Sequence, residues 1–174
     1  GDKSITATFA LNTYTLTVAT VGNGTVSPTT SAYAYGTVVP ITATAGVGSS
    51  FVGWSGDLSG NTNPTTILID GNKFITATFA LNTYTLTVTT VGNGAVSPTT
   101  SSYAYGTVVP ITATANVGSA FVGWSGDLSG NTNPTSILID GDKSITATFA
   151  LNTYTLTVAT VGNGTVAPTT SSYA

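Results

Sequence analysis

The feature that most constrains this chain is an internal repeat with a period of 70 residues. The segment YTLTV begins at Tyr14, Tyr84 and Tyr154, and the segment FVGWSGDLSGNTNP occupies 51–64 and again 121–134. A period of this length predicts a tandem array of small modules. Because one module of this size buries only about 60% of its unfolded surface, we expect its neighbours to add to its stability.

The repeat also sets the expected domain boundaries. Two repeats are complete, and the flanking sequences match the end and the start of further repeats. The predicted units are the end of a preceding repeat at 1–11, complete repeats at 12–81 and 82–151, and the start of a following repeat at 152–174. We therefore expect the chain to be part of a longer array.

Apolar and polar residues alternate within each repeat. Tyr14, Leu16 and Val18 alternate with threonines, which predicts a half-buried β-strand. No segment combines a helical period with helix-forming residues. We predict an all-β tandem array of ~70-residue modules, each with about six short, mainly antiparallel strands, joined end to end without flexible linkers.

Glycine and proline mark the expected connections between these strands. Gly22–Gly24 and Asp70–Lys73 predict hairpin loops, since Asn-Gly and Asp-Gly are strong turn signals. Pro40 lies within an apolar alternation over 37–45. Because proline cannot donate to a β-ladder, Pro40 predicts a sheet edge or a bulge at that point.

The two tryptophans are the expected organisers of the module cores. Trp54 and Trp124 lie at the centre of the longest repeated segment. A tryptophan buries a large area and usually needs one partner for its indole N–H. We therefore predict that each one is the main core residue of its repeat and that the rest of the repeat is arranged to cover it. A polar loop, closed by Pro64 or Pro134, follows each tryptophan.

The junction between the complete repeats contains no flexible linker. At the end of the first repeat the inward-facing residues Ile75, Ala77 and Phe79 have odd numbers. At the start of the next, Tyr84, Leu86 and Val88 have even numbers, so the alternation shifts phase across 80–82. Such a shift predicts a bend or a change of sheet. Since no Gly/Ser/Pro-rich linker separates the repeats, we predict a stiff array.

The composition excludes several classes of function. Charged residues make up 5% of the chain, with three lysines, six aspartates and no Arg, Glu, His or Cys, against about 25% in ordinary soluble domains. Nucleic-acid binding needs clustered Lys or Arg, and no apolar run reaches the ~20 residues of a membrane span. No catalytic function is expected, because a serine nucleophile would lack a base.

The loop after each tryptophan has two possible roles. Oxygen-bearing residues at alternate positions could bind calcium, or they could hold the loop through Asx-turns and side-chain caps. One carboxylate per loop is a low ligand charge for calcium, and no other cofactor is expected. The candidate ligands are Asp57, Ser59, Asn61 and Asn63 in the first repeat and Asp127, Ser129, Asn131 and Asn133 in the second.

Two tyrosines in each repeat are candidate binding residues. Tyr33 and Tyr35, and their equivalents Tyr103 and Tyr105, could form an aromatic platform for a sugar together with Trp54. Aromatic residues are equally what a small core requires. Both interpretations remain open from the residues alone.

The repeated motifs resemble those of a known family. YTLTV, GNGTVSP, FVGWSGDLSG and ITATF are similar to motifs of the divergent internalin-type B-repeat family of bacterial surface proteins, and the similarity covers the complete and the partial repeats. The resemblance implies a secreted or cell-surface bacterial protein whose small all-β modules act as spacers or adhesive stalks. It implies no catalytic residues.

Two functions are compatible with these features. The first is a structural extracellular repeat protein that forms a stiff stalk or a self-associating filament, because the outward strand positions are mostly Thr, Ser and Ala and carry little charge to prevent edge pairing. The alternative is an adhesin-type module that binds a glycan or a host surface protein. The expected partners are accordingly copies of the same chain, or that surface ligand.

Overall fold

The structure, a computed structural model, describes residues 1–173. The chain divides into two compact units, 1–82 and 83–174. Ala174, the last residue of the predicted partial repeat, lies outside the described residues. Residues 1–173 form strands, turns and loops without a helix. Accordingly, no helix in that range is long and apolar enough to cross a membrane. The all-β prediction is confirmed.

Seven strands build the first repeat, and seven equivalent strands build the second. In the first they are β1 (Thr13–Val21), β2 (Gly24–Ser27), β3 (Ser31–Ala34), β4 (Val38–Ala45), β5 (Ser49–Gly56), β6 (Thr65–Leu68) and β7 (Lys73–Leu81). In the second they are β8 (Thr83–Val91), β9 (Gly94–Ser97), β10 (Ser101–Ala104), β11 (Val108–Ala115), β12 (Ser119–Gly126), β13 (Thr135–Leu138) and β14 (Lys143–Leu151). The strand beyond the expected six is the short β3.

Each repeat contains a four-stranded and a three-stranded sheet. The strand orders are β3-β1-β7-β5 and β2-β4-β6 in the first repeat, and β10-β8-β14-β12 and β13-β11-β9 in the second. All pairings within the first repeat are antiparallel except one, the parallel pairing of β1 with β7. Its register runs from Leu16 opposite Lys73 to Val21 opposite Thr78. The first and last strands of the repeat are therefore adjacent at the centre of the larger sheet.

Both predicted hairpin loops are wrong as hairpins, although both segments are turns. After Gly22–Gly24 the chain enters β2, which pairs with β4 and not with β1. After Asp70–Lys73 it leaves β6 for β7, which lies in the other sheet. Alternation specifies which face of a strand is buried but not its partner, so a tight turn between sheets has the same sequence signal as a hairpin.

Pro40 lies in the middle strand of the smaller sheet but at a locally unpaired edge. β4 pairs with β6 over Val38–Ile41 and with β2 over Thr42–Ala45. At Pro40 the strand therefore has only one neighbour, and the missing N–H removes no ladder bond on the open side. The sheet edge predicted at Pro40 is therefore a local gap in the pairing on one side of a central strand.

The core of each repeat lies between its two sheets. In the first repeat Leu16, Ile41, Ile69, Ile75 and Ala77 are completely buried. These residues come from both sheets, as expected for two sheets packed face to face. Buried Ile75 follows exposed Phe74, so Phe74, which is Ser144 in the second repeat, points outward as its place in the alternation predicts.

The predicted phase shift between the repeats is present in the burial pattern. Odd-numbered Ile75, Ala77 and Phe79 are buried in β7, whereas even-numbered Leu86 is the buried residue of β8. One residue, Asn82, separates the two strands. Within the first unit its N–H donates to the Gly48 carbonyl at 2.8 Å, and its side chain accepts from Ser50 Oγ at 2.5 Å.

The flanking segments carry parts of the same pattern. β15 (Tyr154–Leu156) pairs with β16 (Ser171–Tyr173) in the register that β1 and β3 use. Gly1–Leu11 forms no strand, and its sequence is identical to that of Gly141–Leu151. Ile5 and Phe9 are more than nine-tenths exposed, whereas the equivalent Ile145 and Phe149 are buried.

Candidate functional site

The loop after Trp54 protects an edge of the larger sheet. Trp54 is 6% exposed, and its backbone N–H donates to the Gly60 carbonyl at 2.8 Å. Its indole Nε1–H donates to the Thr62 carbonyl at 3.0 Å. The loop thus supplies the indole partner and pairs with β5 on the side away from β7, which shields an edge that would otherwise be open to another strand.

Aromatic packing surrounds Trp54 within the core. The ring of Phe51 lies 5.1 Å from that of Trp54 and meets Phe79 edge-on at 5.7 Å. A register shift between Phe51 and Gly53 marks a bulge in β5. In a regular strand, Phe51 and Trp54 would lie on opposite faces, because they are three positions apart. The bulge turns both side chains toward the core.

Two predicted calcium ligands are hydrogen-bonded to backbone groups elsewhere in the repeat. Asp57 Oδ2 accepts from the Phe74 N–H at 2.7 Å, and the Asp57 N–H donates to the Phe74 carbonyl at 2.8 Å. Asn63 Oδ1 accepts from the Ala43 N–H at 2.9 Å, while its Nδ2 donates to the Ala43 carbonyl at 2.7 Å. Asp57 and Asn63 thus fasten the two ends of the loop to β7 and β4.

The second repeat reproduces this arrangement. Asp127 Oδ2 accepts from the Ser144 N–H at 2.7 Å, and Asn133 makes the same pair of bonds with Ala113 at 2.9 and 2.7 Å. The remaining predicted ligands, Ser59, Asn61, Ser129 and Asn131, are not buried. Within residues 1–173 no three acidic, imidazole or thiol side chains form a metal-binding group. Calcium binding stays one of the two roles predicted for these loops, and the hydrogen bonds of Asp57 and Asn63 favour the capping role.

The predicted aromatic platform is not formed as expected. Tyr33 lies in β3 and Trp54 in β5, the two opposite edges of the larger sheet, so the tryptophan cannot share one surface with the tyrosines. Tyr33 packs against the core, whereas Tyr35 is 54% exposed. Tyr35 lies beside Tyr14, with ring centroids 6.2 Å apart.

The tyrosine arrangement recurs in the second repeat. Tyr103 packs against the core, and the rings of Tyr84 and Tyr105 lie 6.3 Å apart. Each repeat therefore presents a tyrosine pair, and the candidate surface is this pair alone. Tyr14 and Tyr84 are additional to the predicted binding residues, because alternation with threonine places them on the half-buried face of the first strand.

One ion pair connects the last loop of each repeat to the strand that follows. Lys73 Nζ lies 2.5 Å from Asp70 Oδ1, and Lys143 Nζ lies 2.6 Å from Asp140 Oδ1. The hydrogen bond from Lys73 lowers the pKa of the Asp70 carboxyl below its usual value. The same bond raises the pKa of Lys73. These exposed pairs orient the turn but contribute little stability.

Charge is absent from the interiors of the strands. Every lysine and aspartate lies in the N-terminal segment, in a loop, or at the first residue of β7 or β14: Asp2, Lys3, Asp57, Asp70, Lys73, Asp127, Asp140, Asp142 and Lys143. The edges formed by β2, β3 and β6 contain none. Natural sheets commonly protect such edges with lysine or other charges, and these strands lack that protection.

A threonine-lined groove recurs in every repeat and was not expected from the sequence. In the first repeat it has a volume of about 370 Å³ and is lined by Val18, Thr20, Gly24, Thr25, Val26, Thr29 and Thr30. The equivalent residues line grooves of about 400 and 340 Å³ in the second repeat and in the C-terminal segment. It lies where β1 extends beyond β3 and β2 begins, so only the sheet topology brings its residues together.

Residues 14–83 and 84–153 each match the family described as Divergent InlB B-repeat domain. The matched ranges correspond within two residues to strands β1–β7 and β8–β14. No curated protein and no solved structure matches the chain. The family is a non-catalytic repeat-domain family associated with bacterial surface proteins. Two matches of this extent show that the chain belongs to the divergent InlB B-repeat family.

Proposed function

We propose that the chain is a structural extracellular repeat protein that forms a stiff stalk or a self-associating filament at the bacterial surface. Family membership supports the surface location. The observation that carries the structural role is the absence of charge from the strand interiors and from all four edge strands in each repeat. Without charged gatekeepers, such edges accept strands from other copies.

The protected and unprotected edges suggest where copies meet. The long edge strand β5 is covered by the loop that pairs with Trp54. The short edge strands β2, β3 and β6 have no such cover among the backbone hydrogen bonds of their repeat. Gly1–Leu11 offers a further contact, because its exposed Ile5 and Phe9 have the sequence context of buried Ile145 and Phe149.

Self-association is tested by sedimentation and electron microscopy of the purified chain over a range of concentrations. We expect fibres or bundles, and we expect the double variant Ala32→Lys and Ser102→Lys to suppress them, because it places a charge on the β3 and β10 edges. The control is Ser59→Lys with Ser129→Lys, which adds the same charge in the exposed loops. A chain that stays monomeric at high concentration contradicts the filament and leaves a stalk or spacer.

The second candidate function is an adhesin-type module that binds a glycan or a host surface protein. The observation that favours it is the exposed Tyr35 beside Tyr14, with a half-buried Tyr105 beside Tyr84 in the second repeat. Aromatic rings in this position can stack against a sugar. Screening on a glycan array, followed by Tyr35→Ala with Tyr105→Ala, distinguishes this function: loss of binding by a folded variant supports it, and absence of any bound glycan counts against it.

A further inference from the structure

The two strands through which the chain enters and leaves each repeat are paired directly with one another. β1 and β7 run parallel over six register pairs, from Leu16–Lys73 to Val21–Thr78. They occupy the centre of the larger sheet, between β3 and β5. Because the strands are parallel, the chain enters at one end of the pair and leaves at the opposite end.

We propose that each complete repeat is a mechanical clamp that resists tension along the chain, with the β1–β7 and β8–β14 pairs as the resisting elements. This inference rests on the proposed stalk function, and it adds what the stalk resists and where. Tension applied through the residues before Thr13 and after Leu81 pulls β1 and β7 in opposite directions along their shared axis.

The direction of pulling decides how much force the pairing withstands. Along the strand axis all six register pairs are loaded together and must fail together. Across the axis, the pairs open one after another from the Leu16–Lys73 end, and each needs to be broken only in its turn. In this repeat, tension along the chain acts along the strand axis, so all six register pairs are loaded together.

Side chains reinforce the same pair of strands. Leu16, Ile75 and Ala77 are completely buried, so sliding β1 past β7 also disrupts core packing. The Thr15 N–H donates to Asn72 Oδ1 at 2.9 Å, which extends the β1–β7 connection by one position before the first register pair, Leu16–Lys73. In the second repeat the acceptor is Asp142 Oδ1, at 2.8 Å from the Thr85 N–H. A charged acceptor makes this bond stronger.

The register also predicts the length released when a repeat fails. Strand geometry places Thr13 and Leu81 about 36 Å apart along the β1–β7 axis, at ~3.3 Å per residue. The same 13–81 segment, fully extended, spans about 230 Å. Each unfolding event should therefore lengthen the chain by about 200 Å, and a chain held at its ends should show one such event for each complete repeat.

Single-molecule force spectroscopy on the full chain tests the clamp. The chain contains no cysteine, so introduced cysteines provide unique handles. Handles at Thr13 and Leu81 load the β1–β7 pair along its axis. Handles at Thr17 and Phe74, which are register partners, pull the same pair apart sideways. All four residues are exposed, and the Ala19–Thr76 register pair is a second sideways geometry if a handle prevents folding.

We expect a several-fold higher unfolding force for the Thr13–Leu81 geometry at the same loading rate, with an unchanged thermal midpoint in both variants. Equal forces in the two geometries would overturn the clamp. That result would leave the assembly experiment untouched, since sedimentation measures contacts between copies. Conversely, a monomeric chain with a strongly direction-dependent force would retain the clamp and lose the filament.

Discussion

The ring of Phe79 lies directly against Gly24, so that a Cβ at Gly24 would be 2.5 Å from Phe79 Cε1. Gly94 and Phe149 have the same relationship in the second repeat, also at 2.5 Å. The glycine belongs to β2 of the smaller sheet and the phenylalanine to β7 of the larger one. This contact lets the two sheets approach closely where the chain crosses between them.

Replacing Gly24 by alanine should destabilise the first repeat. The new methyl group would force the Phe79 ring or the sheet to move, which typically costs ~1–3 kcal/mol in a packed core. Denaturant unfolding of Gly24→Ala measures this change. The matched control is Gly71→Ala, because a Cβ at Gly71 meets nothing within 4 Å. Equal stability of the two variants would show that the close packing is not required.

Removing the Asn63 side chain should loosen the loop from β4. Asn63→Ala leaves the N–H and carbonyl of Ala43 without their partners, and a partly buried polar group without a partner costs ~1–3 kcal/mol. Thermal unfolding should therefore show a lower Tm, together with a change in Trp54 fluorescence as the loop releases the indole. Asn61→Ala, at an exposed position of the same loop, is the control and should behave as the parent chain.

Calcium provides a separate test of the same loop. Because Asp57 Oδ2 already accepts a backbone hydrogen bond and both polar atoms of the Asn63 amide are bonded to Ala43, we expect millimolar calcium to leave the Tm unchanged. A calcium-dependent rise in Tm that Asp57→Asn and Asp127→Asn abolish would establish the metal site. A rise that survives those substitutions would place calcium elsewhere.

The sequence predicts the faces of the strands well and their partners poorly. Alternation alone predicts opposite faces for the neighbours Phe74 and Ile75, and the structure places Phe74 outside and Ile75 in the core. The parallel pairing of β1 with β7 leaves no comparable signal, because residues 57 positions apart in sequence meet there. The strand β3 was missed because Ser31–Ala34 contains a single large residue.

In the candidate site too, the sequence predicts the local chemistry of a residue but not its distant partners. That Trp54 belongs to the core and needs an indole partner follows from its chemistry. The bonds of Asn63 to Ala43 join residues 20 positions apart, and a D-x-S-x-N-x-N spacing is equally compatible with metal ligands and loop caps. Trp54 is separated from the tyrosine pair for a topological reason, since the strand order places β3 and β5 at opposite edges of the sheet.

Stability should depend little on pH between about 5 and 9, because no side chain with an ordinary pKa in that range is present. Lys73 lowers the pKa of Asp70, and Lys143 lowers that of Asp140. A carboxyl with a depressed pKa in the folded state stabilises at pH values above its unfolded pKa, and this contribution is lost as the pH falls below about 4. Thermal unfolding at several pH values should show that acid decline.

The control for the acid decline is the double variant Lys73→Ala and Lys143→Ala. Without the lysines the pKa depression has no cause, so the decline should become shallower while stability at neutral pH changes only slightly. A sharp transition between pH 5 and 9 would be incompatible with this account.

Small-angle X-ray scattering of the monomeric chain tests most directly whether consecutive repeats form a mechanical element. Only Asn82 separates β7 from β8, and the proposed stalk predicts a scattering profile with a single defined spacing between the two complete repeats. Insertion of a Gly/Ser linker after Asn82 should broaden that spacing. If the parent chain already scatters like the linker variant, as two independently moving modules, the stalk account is contradicted.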